Sequence, residues 1–112
     1  MGLKVNLNSH LNDVLNAEDE AVQRALEMIG LQGEAYAKSE ITRQKAIDTG
    51  RLRNSISHEV VGDTAVIGTN VEYASYVELG TSKMKARPYL RPAAADHADE
   101  YKKILLSQLE GM

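Results

Sequence analysis

The sequence predicts an α+β domain: a long N-terminal helix, an antiparallel β-hairpin or small sheet, a short helix, a basic loop and a C-terminal helix. Three observations carry that prediction. Apolar side chains recur at helical spacing from Leu11 to Tyr36, alternate at strand spacing on either side of Gly62-Asp63, and return to helical spacing after Pro92. At 112 residues the chain has the length of one domain, so residues 1–112 are expected to share a single core.

The first helix is expected from about Asn8 to Ala46. Leu11, Val14, Leu15, Val22, Leu26, Ile29 and Tyr36 form its apolar stripe, and Ala21 and Ala25 fill the gaps. Ser9 or Asn8 can cap the start, Glu18, Asp19, Glu20 and Glu27 occupy much of the other face, and Gly30 and Gly33 point to a weakened or bent middle, with Gly33 the place where the helix can be interrupted. Asp48-Thr49-Gly50 reads as a turn in which Gly50 can take a positive φ. The hairpin follows, with Ser55 to Val61 and Thr64 to Thr69 as its arms. Val71, Ala74, Tyr76 and Val77 then fit a short helix stopped by Gly80. Residues 80–88, GTSKMKARP, form a polar, basic loop expected to be mobile until something binds it. Pro92 suits the first turn of the last helix, which runs through Tyr101, Ile104, Leu105 and Leu109 to Gly111.

Composition narrows the function. Thirteen basic and sixteen acidic residues give a net charge of -3, which argues against a general nucleic-acid binder. The absence of Cys removes disulfides, thiolate metal sites and a Cys nucleophile. No run approaches the apolar length of a membrane span, so a soluble protein made in the cytoplasm, with no membrane partner, is expected. With neither Trp nor Phe the core must be thin, which favours burial against neighbouring copies.

Candidate chemistry is sparse. His10, His58 and His97 lie in three different elements without metal-ligand spacing; His97 and Glu100 sit one helical turn apart, as an ordinary surface pair does. Asp48, Glu72 and Glu78 supply carboxylates, but nothing in the sequence builds a pocket around them, and no phosphate-binding glycine loop is present. No catalytic, metal or cofactor site is therefore expected. Two basic clusters remain, Arg43, Lys45, Arg51 and Arg53, and Lys83, Lys85, Arg87 and Arg91. They suit carboxylates on a neighbouring subunit or DNA phosphates equally well. Tyr73, Tyr76 and Tyr89 favour an interface, the alternative for each being the domain's own core.

DTGRLRNSI from Asp48 to Ile56, a hairpin ending in IGTNVEYASYVELGT and ARPYLRPA after the loop occur in that order. Together they resemble the phage tail-component family typified by gene product ten of phage Hong Kong ninety-seven. The resemblance runs from Asp48 to Ala95 and leaves the N-terminal helix without a signature. Its motif positions are Thr49, Gly50, Leu52, Arg53, Ser55 and Ile56; Gly68, Thr69, Tyr73, Ala74, Tyr76, Val77, Glu78, Gly80 and Thr81; and Arg87, Pro88, Tyr89, Leu90, Arg91 and Pro92. Tyr89 stands where Phe is common.

The resemblance implies a structural virion protein of a long-tailed phage or prophage. It would act in head-tail joining or tail completion, in a homo-oligomeric ring around the DNA channel, located in the virion neck or tail. Its partners would be other copies of itself, connector or head-completion proteins and tail proteins, with non-specific contact to DNA in transit. Tyr73, Tyr76, Glu78, Lys83, Lys85, Arg87, Pro88, Tyr89 and Arg91 are the expected interface residues, with Arg87 and Arg91 making directional contacts and Pro88 and Pro92 fixing the approach. Lys83 and Lys85 are also candidates for the channel wall. The competing classes are a small DNA-binding module using the two basic clusters and, third, an enzyme.

Overall fold

A computed structural model describes residues 2–9, 11, 15–44 and 49–110, leaving out the side chain of Thr49. The architecture is α+β, as the periodicities predict. Its elements are β1 (Leu3–Asn6), α1 (Glu20–Gln44), α2 (Thr49–Ser55), β2 (Ser57–Val61), β3 (Thr64–Thr69), α3 (Ala74–Leu79), α4 (Leu90–Ala95) and α5 (Ala98–Glu110).

The hairpin of β2 and β3 becomes a three-stranded antiparallel sheet because β1 joins the far side of β3, giving the order β1-β3-β2. Strand β1 is not among the elements that the periodicities predict. Its period-two signal, Leu3 and Val5 against Lys4 and Asn6, spans only one short strand. Register places Val5, Ile67 and His58 in one row across the sheet, on the side of α1, and Asn6, Val66 and Glu59 in the adjacent row. Gly62 makes the β2–β3 turn at φ 62°, in the left-handed region that favours glycine.

Helix α1 starts later than expected. The N-cap is Asp19, whose carboxylate accepts the Ala21 N–H at 2.8 Å. Asn8, read as a cap, is instead fully buried at the edge of the sheet, where its Nδ2 donates to Asp63 O and its Oδ1 accepts from Ala65 N–H. The helix runs unbroken through Gly33. A Cβ at Gly30 would lie 2.8 Å from His58 Cδ2, and one at Gly33 would lie 2.5 Å from Leu7 Cδ1. The two glycines therefore let the helix backbone settle onto the sheet, and the low helix propensity that pointed to a break is offset by that packing.

Two further expectations change. Gly50 lies inside α2 rather than in a positive-φ turn; Asp48 is outside the described residues, as are His10, Lys45 and the expected stop at Gly111. The C-terminal helix is two helices, α4 and α5, with Pro92 in the first turn of α4. Leu26, Ile29, Ile41, Leu52, Ile67, Tyr89 and Tyr101 are completely or almost completely buried in one continuous core. Tyr36 of α1 stacks on His97 with ring centroids 3.5 Å apart, and its hydroxyl donates to Glu100, fastening α5 to α1.

Candidate assembly surface

The sequence motifs meet at the end of the molecule where β3, α3 and α4 converge. Ser55, at the end of α2, shares a 2.6 Å hydrogen bond with Thr69 at the end of β3, and Thr69 Oγ1 in turn accepts the Val71 N–H. Leu52 and Ile56 bury their side chains in the core beside this link. The first motif is thereby tied to the second.

Glu78 ties the second motif to the third. Its side chain is 7% exposed, and its two carboxylate oxygens accept the backbone N–H groups of Tyr89, Leu90 and Arg91 at 3.1, 2.8 and 3.2 Å. Those donors are the unpaired amides where α4 begins, and a carboxylate suits the positive end of the helix. Tyr89 is fully buried and donates its hydroxyl to Ala74 O at 3.0 Å; burial raises the phenol pKa well above its usual value, so it remains a donor. Arg87 N–H donates to Val77 O at 2.7 Å, closing the loop between α3 and α4. Gly80 allows the reversal: its φ is 76°, and a Cβ there would lie 2.7 Å from Ala86 N.

The residues read as one interface thus divide. Glu78 and Tyr89 are built into the protomer, Tyr89 following the core alternative, while Pro88 is half-buried and accepts from Gln44 Nε2 through its carbonyl. Tyr76, Lys83, Lys85, Arg87 and Arg91 are exposed and Tyr73 is half-buried. The basic loop has its own turn, in which Thr81 and Met84 exchange backbone hydrogen bonds and Thr81 Oγ1 accepts the Lys83 N–H.

Between that loop and α3 lies an open pocket of about 220 Å³ lined by Tyr73, Tyr76, Val77, Thr81 and Met84. No sequence pattern announced it, because its walls come from a helix and a loop whose relative placement depends on Glu78. A second hollow of about 210 Å³ lies between β1, Leu79 and Arg91.

The first basic cluster is largely engaged inside the protomer. Arg43 pairs with Glu40, whose carboxyl it holds below its ordinary pKa, and Arg51 makes a two-pronged pair with Glu72 while its guanidinium lies over the Tyr73 ring. Arg53 reaches Thr42 Oγ1 at 3.4 Å. Among the described residues, none of the ion pairs uses Lys83, Lys85 or Arg91.

The two described histidines, His58 and His97, do not converge. His58 bridges Glu27 and Glu34 at 2.7 and 2.9 Å, and His97 lies 3.7 Å from Glu100. Burial opposes the charged imidazolium of His58, but its hydrogen bonds to Glu34 and Glu27 outweigh it and raise the pKa above 6.5. Among the described residues no group of three or more His, Cys, Asp or Glu is placed to hold a metal ion, and no helix is long and apolar enough to cross a membrane.

Against known families, residues 3–80 match the model described as "Bacteriophage HK97-gp10, putative tail-component". The chain belongs to this family. The match takes in β1 and also α1, the helix outside the motifs from Asp48 onward, and ends at Gly80, so the hydrogen-bonded partner motif from Arg87 to Pro92 lies beyond it. Comparisons with curated proteins and with solved structures gave no match.

Proposed function

We propose that the protein is a structural component of the virion in a long-tailed phage or prophage. It acts in head-tail joining or tail completion as one subunit of a ring around the DNA channel. The observation that carries this reading is the family match over residues 3–80, which assigns a tail-component type to the chain. The geometry supports it: the internal bonds of Glu78 and Tyr89 tie α3 to the start of α4, while Tyr76, Lys83 and Lys85 stay exposed for a partner.

Electron microscopy of particles produced without the protein tests the assignment. Filled heads separated from tails are expected; normal joined virions would overturn it. A second reading rests on Lys83 and Lys85, which could face DNA as it passes. Salt-dependent duplex binding by the assembled ring would favour that reading, and an outward-facing loop without such binding would remove it.

A further inference from the structure

The two ends of the protein carry opposite charge and matched apolar features. At one end, Gln23 Nε2 donates to Gly62 O at 2.8 Å and to Ala17 O at 2.9 Å, holding the segment before α1 beside the β2–β3 turn. Glu18, Asp19, Glu20 and Asp63 therefore gather near Val61, which closes β2 with 57% of its surface exposed. Arg24, one turn into α1, is the nearest cation in sequence. At the other end, Gln44 Nε2 donates to Pro88 O at 2.6 Å and ties α1 to the basic loop. Gln23 and Gln44 stand roughly 30 Å apart along the helix. The pocket of Tyr73, Tyr76, Val77, Thr81 and Met84 belongs to this second end, with Lys83 and Lys85 exposed on its loop.

We infer that the acidic tip of one copy docks in the tyrosine pocket of the next, with Val61 seated against Tyr76 and Met84 and the tip carboxylates facing Lys83 and Lys85. The inference rests on the proposed assembly into a ring and adds which surfaces meet. Its occupant is chosen by charge. A two-fold contact would set cations against cations at one end or carboxylates against carboxylates at the other, whereas head-to-tail docking opposes unlike charges in every joint. The pocket's roughly 220 Å³ accommodates one aliphatic side chain, and Val61 is the exposed apolar residue among the acidic groups. Every copy would use both patches once, which is the condition for a ring or a filament.

The cysteine-free chain permits a direct test. Val61→Cys and Ser82→Cys each place one thiol at an exposed position, one at the tip and one beside the pocket. Mild oxidation of the two variants together, both as concentrated protein and in assembled particles, is expected to give the mixed disulfide dimer at least in the particles. A chain carrying both thiols should give a ladder. Lys83→Glu with Lys85→Glu should reduce the mixed product at least tenfold. Absence of that product from particles that contain the protein, or disulfides formed chiefly between identical single variants, would overturn the docking. So would duplex DNA that shields Ser82→Cys from alkylation at physiological salt. Particles that join normally and contain the protein but give no mixed disulfide would remove the docking and leave the virion role standing. Normal joining in its complete absence would remove the role itself.

Discussion

In the body of the protein, α1 meets the sheet through Gly30, against the His58 ring, and Gly33, against Leu7 and Ile67, and the contact is close, mostly apolar and spread over many side chains. At the corner between α3 and α4 one buried carboxylate performs the equivalent task, by accepting three backbone N–H groups. The first arrangement depends on shape and loses stability in increments. The second depends on one side chain, and its loss leaves several donors without partners at once. A surface that must present a loop in a fixed pose gains from the second kind, because hydrogen bonds specify direction where apolar packing does not.

Glu78→Ala should therefore be the most damaging of the changes considered. Roughly 3 kcal/mol of stability is expected to go, since the N–H groups of Tyr89, Leu90 and Arg91 at the start of α4 lose their acceptor together. Urea unfolding measures it, and Glu78→Gln, which keeps one acceptor oxygen, should lose about half as much. A loss below about 0.5 kcal/mol for the alanine variant would mean that the corner is held by packing as the body is.

Gly33→Ala probes the body. A new Cβ would press on Leu7 and Ile67, costing about 1–3 kcal/mol by overpacking, and the better helix propensity of alanine returns up to about 1 kcal/mol. A net loss near 1 kcal/mol in thermal unfolding is expected; a gain would show that Leu7 swings aside.

His58 sharpens the comparison through pH. Its folded pKa is raised, so its contribution is fully present below 6.5 and is lost as pH rises through the folded value. Burial works against the Glu34 carboxylate, but hydrogen bonds from His58 and Lys38 lower its pKa, so its contribution is present above 4.5 and is lost as pH falls through the folded value. His58→Gln should thus cost about 1 kcal/mol at pH 5.5 and less at pH 8.5, the difference being read from parallel urea curves. Equal costs at both pH values would assign His58 to packing alone. Arg51→Ala, which removes an exposed pair with Glu72, should leave the unfolding midpoint unmoved.

Much of the fold was legible in the sequence because helix and strand periods differ, and because Gly62 and Gly80 sit where positive φ is required. Strand β1 was not, since Leu3 and Val5 are too few to establish a period and only pairing with β3 makes them a strand. Gly30 and Gly33 suggest a weakened or bent helix in sequence, because propensity is local and the approach of His58 and Leu7 is not. At the candidate surface, Tyr76, Lys83 and Lys85 are exposed as a contact role requires, whereas Glu78 and Tyr89 are internal. Their polar groups looked like contact groups in one dimension; only folding shows that each one's partner is a backbone atom eleven to fifteen residues away.

On the proposed function, the corner is braced internally so that its exposed loop can serve virion assembly. Complementation of a phage lacking the protein by Lys83→Glu with Lys85→Glu, scored as the fraction of heads joined to tails, tests it most directly. The variant is expected to unfold at the wild-type temperature yet restore less than about a tenth of the joined particles, as loss of ~1.4 kcal/mol or more at each contact would produce. Joined particles at the wild-type fraction would contradict the claim.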